Sequence, residues 1–302
     1  MLRLLQQLQW QIKIKKYYLV ALLMIFTTTV KSEVVNIVYP NTDNLGQTAL
    51  GYQVLKLALA HSGVEYQLTL SKKVINPKRA RFYIKQGKID IYDFGTSSIF
   101  ETELLPIYFP IDRGLNGWRI FIIHKDNKTE FNKVNNLSEL QKFVALQGIG
   151  WSDIDLLENA GIRVVSSEMH NLFRMLQRKR ADFFPLGVNE IYGFYRNNTI
   201  ETPSLIVDKR VLLIYPFARF FFVNKQNHQL RDIIQLGLER SFANGSFQNL
   251  FNAQPEYIEA LQLGKLNKRT TIYIDNPDIT DEFKAIPKKY FIQLNEMYTI
   301  RE

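Results

Sequence analysis

The chain has 302 residues, of which 46% are hydrophobic and 22% are charged, and it contains no cysteine. The apolar fraction is too high for a disordered chain, and the length favours two domains of ~150 residues each. The lack of cysteine excludes disulfides, thiolate metal sites, cysteine nucleophiles and iron–sulfur clusters.

The N-terminus has the pattern of an export signal. Residues 1–16 are basic and hold no acid, and an uninterrupted apolar or small run follows at residues 17–30. A basic stretch before a short apolar run is typical of a cleavable signal peptide, here residues 1–32. This run is shorter than the ~20 apolar residues that a membrane-spanning helix needs. An uncleaved anchor is the alternative interpretation. No cysteine follows the run, so we expect no lipid anchor.

The signal segment accounts for much of the basic charge. It holds five basic residues and no acid, so the net charge of +9 falls to +4 without it. We therefore expect no nucleic-acid partner. Two basic clusters remain, at 78–81 and 178–180, and both lie near predicted helix ends. We expect them to be solvated there and to complement the helix dipoles.

The next part of the chain predicts alternating strands and helices. Period-two and β-branched runs indicate strands, apolar residues at helical spacing indicate helices, and Gly63 and Gly87 should end the two helices. The predicted elements are a strand at 34–39, a helix at 46–61, a strand at 64–70, a helix at 77–86 and a strand at 89–94. This order is typical of an open, largely parallel α/β sheet.

A second series begins at the strand predicted for residues 118–124, and a polar loop at 125–136 follows it. The later predicted elements are a short helix at 137–140, a strand at 143–147, a helix from about 152, a strand at 162–165, a helix at 170–177, a strand at 181–185, a helix to about 195, a strand at 218–223 and an amphipathic helix at 230–243. Beyond residue 251 the chain is polar and contains prolines. It has one strand-like stretch there, at 271–274.

Several of these segments together resemble the bacterial extracellular solute-binding proteins of family 3, whose best-known members bind amino acids. The matching segments are 84–90 (IKQGKID), 136–140 with 147–150 (NLSEL and QGIG), 175–182 (MLQRKRAD) and 230–251. The resemblance implies an α/β fold of the type II periplasmic-binding-protein class, with two α/β lobes joined by two crossing strands. Lobe 1 would comprise residues 33–114 and 217–302, lobe 2 would comprise residues 115–216, and the ligand would lie between them.

The chain departs from the family pattern where the ligand should bind. The arginine expected after the third strand is missing from residues 101–103, and the first acid after Asp182 is Glu190. By analogy with the fold, Arg113 or Arg119 would supply the cation, and Glu190 or Asp153 the anion.

Strand ends and glycine-flanked turns supply the other candidates. Trp118 beside Arg119 would clamp a ligand or pack at the hinge, and the turn with Trp151 and Asp153 would bind an anion or cap a helix. Residues at the ends of the first and third strands would contact ligand or form ordinary turns. The full set of candidate ligand-binding residues is Tyr39, Asp93, Thr96, Arg113, Trp118, Arg119, Trp151, Asp153 and Glu190.

These observations favour a periplasmic solute-binding protein without catalytic activity, cofactor or metal. The four histidines lack ligand spacing, and neither a Gly-x-Ser-x-Gly turn nor a phosphate-binding glycine loop occurs. We expect a monomer that captures an amino-acid-like solute or organic anion for an ABC permease or a membrane sensor. Two alternatives remain. One is a lyase-like enzyme that uses Glu190 with Asp153, and the other is an interaction protein that docks through residues 254–302. That tail would otherwise wrap lobe 1.

Overall fold

The computed structural model describes residues 34–42 and 45–293, together with Trp10 and Glu296. Apart from Trp10, the predicted signal peptide lies outside the described residues. In the part of the chain that the structure describes, no helix is long and apolar enough to cross a lipid bilayer.

Strands and helices alternate along most of the chain. The strands are β1 (Val35–Asn41), β2 (Tyr66–Val74), β3 (Ile91–Gly95), β4 (Leu105–Ile107), β5 (Trp118–His124), β6 (Val144–Gly148), β7 (Arg163–Ser167), β8 (Phe183–Gly187), β9 (Leu205–Val207), β10 (Val211–Ile214), β11 (Arg219–Val223) and β12 (Thr270–Tyr273). The α-helices are α1 (Leu50–Ser62), α2 (Pro77–Lys85), α3 (Ser98–Glu103), α4 (Lys128–Phe131), α5 (Leu137–Leu140), α6 (Ile154–Asn159), α7 (Met169–Gln177), α8 (Ile191–Asn198), α9 (His228–Ala243), α10 (Ser246–Asn252), α11 (Pro255–Gly264) and α12 (Asp281–Lys284).

Lobe 1 is built on β1 and β2, which pair in parallel, and on β11, which runs antiparallel between β3 and β4. Helices α1 and α9 cross at very close range beside these strands. A Cβ atom on Gly237 of α9 would lie 1.9 Å from the carbonyl oxygen of Ala58 in α1. Only glycine therefore permits this approach of the two backbones.

Lobe 2 contains a sheet of order β12-β10-β5-β8-β6-β7, with β9 also paired to β5. Every residue of β5 is buried, which explains its continuous apolar sequence. The prediction of a largely parallel sheet is wrong in part, because β5 and β11 both run antiparallel to their neighbours. Each of these strands follows a crossing between the lobes, so the chain enters the new sheet in the reverse direction.

Several short elements were not predicted. Helix α4 lies inside the segment predicted as a polar loop, and β9 and β10 lie in a stretch for which no element was proposed. The helix predicted from about residue 152 begins at Ile154, and the side chain of Asp153 at its N-cap makes no capping hydrogen bond. Asp153 is therefore free to bond elsewhere.

The two crossing segments lie side by side. The backbone N–H of Tyr215 donates to the carbonyl of Gly117 at 3.0 Å. A Cβ atom on Gly117 would lie 2.3 Å from the carbonyl oxygen of Tyr215, so the backbones touch here. These contacts join the strands at the boundary between the lobes, where a hinge belongs.

The C-terminal tail contacts both lobes. Its strand β12 pairs in parallel with β10 of lobe 2, although the sequence analysis assigned residues 217–302 to lobe 1. The tail then reaches lobe 1, where the backbone N–H of Ser98 donates to Asp278 at 3.0 Å and that of Ile292 donates to the carbonyl of Arg113 at 2.8 Å. The lobe boundaries themselves stay a prediction.

Candidate ligand cleft

A buried group of charged and polar side chains lies at the C-terminal ends of β1 and β3. The carboxylate of Asp93 accepts hydrogen bonds from the hydroxyl of Tyr39 and, at 2.5 Å, from Nη2 of Arg219. Tyr39 and Asp93 are almost fully buried, whereas Arg219 at the start of β11 keeps 32% of its side chain exposed. We call these three residues the Asp93 cluster.

The Asp93 cluster holds a fixed positive charge at its outer end. Burial alone would lower the pKa of Arg219, but Asp93 and then, in decreasing order, Tyr92, Tyr39 and Glu190 raise it above its usual value. Burial, followed by the negative charge of Asp93, raises the pKa of Tyr39 well above 10, so this phenol stays protonated and donates. Arg219 is thus a permanent cation, partly open to solvent.

Lobe 2 carries a second group around Arg119 of β5. Its guanidinium donates to Asp153 at 2.9 Å, to Glu190 at 3.1 Å and, through Nε, to the hydroxyl of Tyr215 at 2.8 Å. The Tyr215 hydroxyl in turn donates to Asp153 at 2.9 Å. We call these four residues the Arg119 cluster. Each of the three guanidinium nitrogens of Arg119 has a partner within the chain, and only 4% of the side chain is exposed.

Burial and neighbouring charges act together on the pKa values of this second group. Burial would lower the pKa of Arg119, but Tyr215, Asp153 and Glu190 together raise it. Burial raises the pKa of Tyr215 well above its usual value of 10, and Arg119 opposes this rise without cancelling it. Within the cluster, Glu190 is the member with the open side chain, at 24% exposure, against 3% for Asp153. The carboxylate of Glu190 also accepts from the backbone N–H of Gly187 at 2.9 Å.

The ring of Phe217 lies between the end of β3 and the guanidinium of Arg119. A Cβ atom on Gly95, the last residue of β3, would lie 2.4 Å from Cζ of Phe217 and 3.3 Å from the hydroxyl of Ser152. The ring of Phe217 also faces the guanidinium of Arg119, 5.6 Å from its centroid. The end of β3 in lobe 1 is therefore in contact with lobe 2, and glycine at this position makes the contact possible.

Three buried polar atoms beside the clusters lack a hydrogen-bond partner among the described residues: Nε of Arg219, Oε1 of Gln147 and Oδ1 of Asn189. Gln147 lies against Asp153, to which its amide donates at 3.3 Å. Leaving such an atom unpaired costs about 1–3 kcal/mol. Each of these atoms is closed off from bulk solvent, so only a bound water or solute that reaches it can satisfy it.

The remaining predicted residues outside the two clusters make packing and turn contacts. Thr96 donates to the buried carboxylate of Glu101, which fixes the turn after β3. Trp118 packs in the core at the start of β5. Trp151 lies across Gly148, where a Cβ atom would be 2.4 Å from its ring, and it stacks on Phe184. Both tryptophans thus pack against the hydrophobic core.

Arg113 lies apart from the two clusters. Its guanidinium donates to both carboxylate oxygens of Glu296, at 2.8 and 3.1 Å, and to the carbonyl of Phe291 at 3.3 Å. All these partners belong to the C-terminal tail. The side chain therefore holds the tail against lobe 1, and the structure does not bring it to the other predicted residues.

Sequence reasoning did not select Arg219, Tyr215 or Phe217. Arg219 sits in a run of aromatic residues that was read only as a strand, and its partner Asp93 is 126 residues earlier. Its one local signal is a charged residue at the start of an otherwise apolar strand directly after the second crossing. Among the described residues, no group of three His, Asp or Glu side chains is placed to hold a metal ion.

Comparison with known proteins identifies the fold. No protein-family model and no curated protein sequence matches the chain. Many solved structures are similar to it, and three of them illustrate the likeness. They are the Bordetella pertussis BvgS periplasmic VFT2 domain (16% identity, 72% of this chain, 92% of that chain, TM-score 0.54), a histidine kinase sensor domain with similarity to periplasmic binding proteins (14%, 72%, 94%, 0.52) and the substrate-binding protein of an amino acid ABC transporter (12%, 72%, 97%, 0.51).

These neighbours confirm the predicted fold class, an α/β protein of the periplasmic-binding-protein type with two lobes. The structural neighbours include substrate-binding proteins of amino-acid transporters, the type that the sequence motifs resemble. At 12–16% identity the likeness carries the fold and leaves the solute to be argued from the cleft itself.

Proposed function

We propose that this chain is a periplasmic solute-binding protein that encloses a small polar solute between its lobes and releases it unchanged. The observation that carries this proposal is the pair of partly exposed, opposite charges at the cleft, Arg219 on lobe 1 and Glu190 on lobe 2. An amino-acid-like solute carries a carboxylate and an ammonium group, and these two side chains are complementary to it. Uptake through an ABC permease and signalling through a membrane sensor both fit, since neighbours of both kinds share the fold.

Arg219 is the better candidate for the solute carboxylate than either arginine chosen from the sequence. Its guanidinium binds Asp93 through Nη2, while about a third of its side chain stays exposed to solvent, where a ligand can reach it. Arg119 is enclosed by its own partners. We assign Arg119 a positioning role: it orients Glu190, whose carboxylate would then bind the solute amine.

Closure of the lobes would complete the site. Contacts between Gly95, Phe217 and Ser152 lie at the boundary between lobes, so a ligand that bridges Arg219 and Glu190 favours the closed arrangement in which these contacts form. The solute need only bind the closed state better than the open one. No change of covalent bonds is required.

Isothermal titration tests this assignment, after a thermal-shift screen of amino acids, organic acids and sugars has selected a solute. Loss of one charge-assisted hydrogen bond of about 1.5–3 kcal/mol predicts that Arg219→Gln weakens the affinity by about 10- to 150-fold. Glu190→Gln should weaken the binding of amino acids but not of simple organic acids. Arg178→Gln, an exposed substitution in lobe 2, is the matched control and should bind as the wild type does. Unchanged affinity in Arg219→Gln would remove this residue from the site.

The enzyme alternative uses the same residues. Asp153 and Glu190 both bind one guanidinium, an arrangement suited to holding negative charge in place. Turnover of the selected solute that disappears in Glu190→Gln would favour a lyase-like activity over simple capture. Quantitative recovery of the unchanged solute supports the binding function.

A further inference from the structure

A groove with a strongly basic lining lies on the outer side of lobe 1, between the end of β2 and helix α2. It has a volume of about 330 Å³ and is open to solvent. Four of its lining residues are basic, namely Lys72, Lys73, Arg79 and Lys88, and no acidic residue lines it. We call this feature the basic groove. It is separate from the ligand cleft and shares no residue with either cluster.

The positive charge extends along the whole segment around the groove. Residues 72–88 contain seven lysines and arginines and no acid. Among the described residues, Lys85 is the one member that forms an ion pair, with Glu103 at 2.7 Å. Arg81 is half-buried with its guanidinium over the ring of Phe100, and Lys88 lies over the ring of Tyr83. Lys72, Lys73, Lys78 and Arg79 are exposed and form no ion pair with the described residues, so like charges repel one another across this face.

The helix dipole does not account for these residues. Lys78 and Arg79 lie in the first turn of α2, at the end of a helix where a cation is unfavourable. The expectation that the cluster at 78–81 complements a helix dipole is therefore wrong. For the cluster at 178–180 the expectation holds, since Arg178 is at the C-cap of α7. Cations at the unfavourable end of a helix dipole indicate that these side chains interact with a partner outside the chain.

Exposed apolar side chains accompany the bases. Phe82 of α2 is 52% exposed, and the residues three or four positions away on the same helix face are Lys78, Arg79 and Lys85. Val74, which lines the groove, is 50% exposed. Basic side chains around an exposed aromatic ring are the composition of protein surfaces that bind anionic membranes.

We propose that this face of lobe 1 binds the surface of an anionic phospholipid bilayer. Lipid phosphates enter the basic groove, and Phe82 reaches the level of the headgroups. Charge complementarity supports this occupant, because the lining has four cations and no acid. The exposed ring of Phe82 favours a membrane over a free phosphate ion, because a phosphate ion has no apolar surface to bury against the ring.

Cosedimentation with vesicles tests the proposal. Wild-type full chain is compared with the triple variant Lys72→Gln, Lys73→Gln, Arg79→Gln on phosphatidylcholine vesicles with and without phosphatidylglycerol. At about fivefold per basic residue, the triple variant should bind anionic vesicles roughly 100-fold more weakly. High salt should weaken the wild type more than the variant. Phe82→Ser should weaken binding without changing the salt dependence.

The matched control removes the same charge from exposed positions of lobe 2, by Lys128→Gln, Arg178→Gln and Arg180→Gln. It should bind vesicles nearly as well as the wild type. The N-terminal apolar run is present in every variant and contributes the same binding to each, so the variants are compared by the difference in their binding to the two kinds of vesicle. Equal loss in the triple variant and in the control overturns the proposal in favour of net charge alone. Equal binding to both kinds of vesicle, or binding to polyglutamate but not to vesicles, also overturns it.

Discussion

Removal of the hydroxyl group of Tyr215 tests the Arg119 cluster. This hydroxyl accepts from Nε of Arg119 at 2.8 Å and donates to Asp153 at 2.9 Å, and the ring is buried. The change Tyr215→Phe keeps the ring and the shape of the core. It leaves one donor of the guanidinium and one lone pair of the carboxylate unsatisfied.

The expected loss follows from these two hydrogen bonds. Each involves a charged partner and is worth about 1.5–3 kcal/mol. Arg119 keeps its direct bonds to Asp153 and Glu190, so we expect the free energy of unfolding to fall by about 3 kcal/mol rather than by the full sum. At about 2–4 °C per kcal/mol for a chain of this size, the Tm falls by about 6–12 °C.

Urea unfolding at neutral pH, followed by tryptophan fluorescence, measures this loss. The control is Tyr273→Phe, because Tyr273 is 62% exposed and its change should cost no more than about 0.5 kcal/mol. A loss in Tyr215→Phe as small as that of the control would refute the reasoning. It would mean that Arg119 and Asp153 do not depend on the phenol for their pairing.

Two further changes test the packing and the titration of other parts of the fold. Gly237→Ala forces α9 away from the backbone of Ala58, and we expect the free energy of unfolding in urea to fall by about 1–3 kcal/mol or more. The control is Gly193→Ala, because its added carbon meets no atom within 4 Å and should not destabilise the chain in this way. Burial lowers the pKa of His124 below 6.5, so on acidification the unfolded chain binds a proton at this imidazole more readily than the folded chain does. The free energy of unfolding therefore falls as the pH decreases below about 6.5. His124→Asn keeps an acceptor at this N-cap but does not titrate, so its stability should change less between pH 7 and pH 5; parallel curves for variant and wild type would contradict the assignment.

Local patterns predicted the regular elements well. The run at 118–124 gave β5 with its observed bounds, Pro77 begins α2, and Gly63 ends α1 in the left-handed conformation with φ of 87°. Each of these signals lies within a few residues of the element that it determines. Strands such as β9, with three residues, are too short to show a period, so they were missed.

The candidate site was predicted only in part, because pairing between distant segments decides it. Asp93, Asp153, Glu190 and Arg119 were selected from strand ends and from the resemblance. Which arginine stays accessible depends on burial, and burial depends on partners far away in the sequence. Arg113 has the same residue type as Arg219, but the tail residue Glu296, 183 positions later, engages it. No local pattern carries that information.

The position of the tail also bears on when the protein can fold. The sheet of lobe 2 is completed by β12, which pairs with β10 across 59 positions, and the bond from Ser98 to Asp278 spans 180 positions. Such long sequence separations slow folding, because the loops must close before the contacts form. The native contacts of both lobes therefore include residues 270–278, which lie far along the chain from their partners. A nascent chain in which these residues have not yet been made lacks the strand that completes one sheet and the bond that attaches the tail to the other lobe.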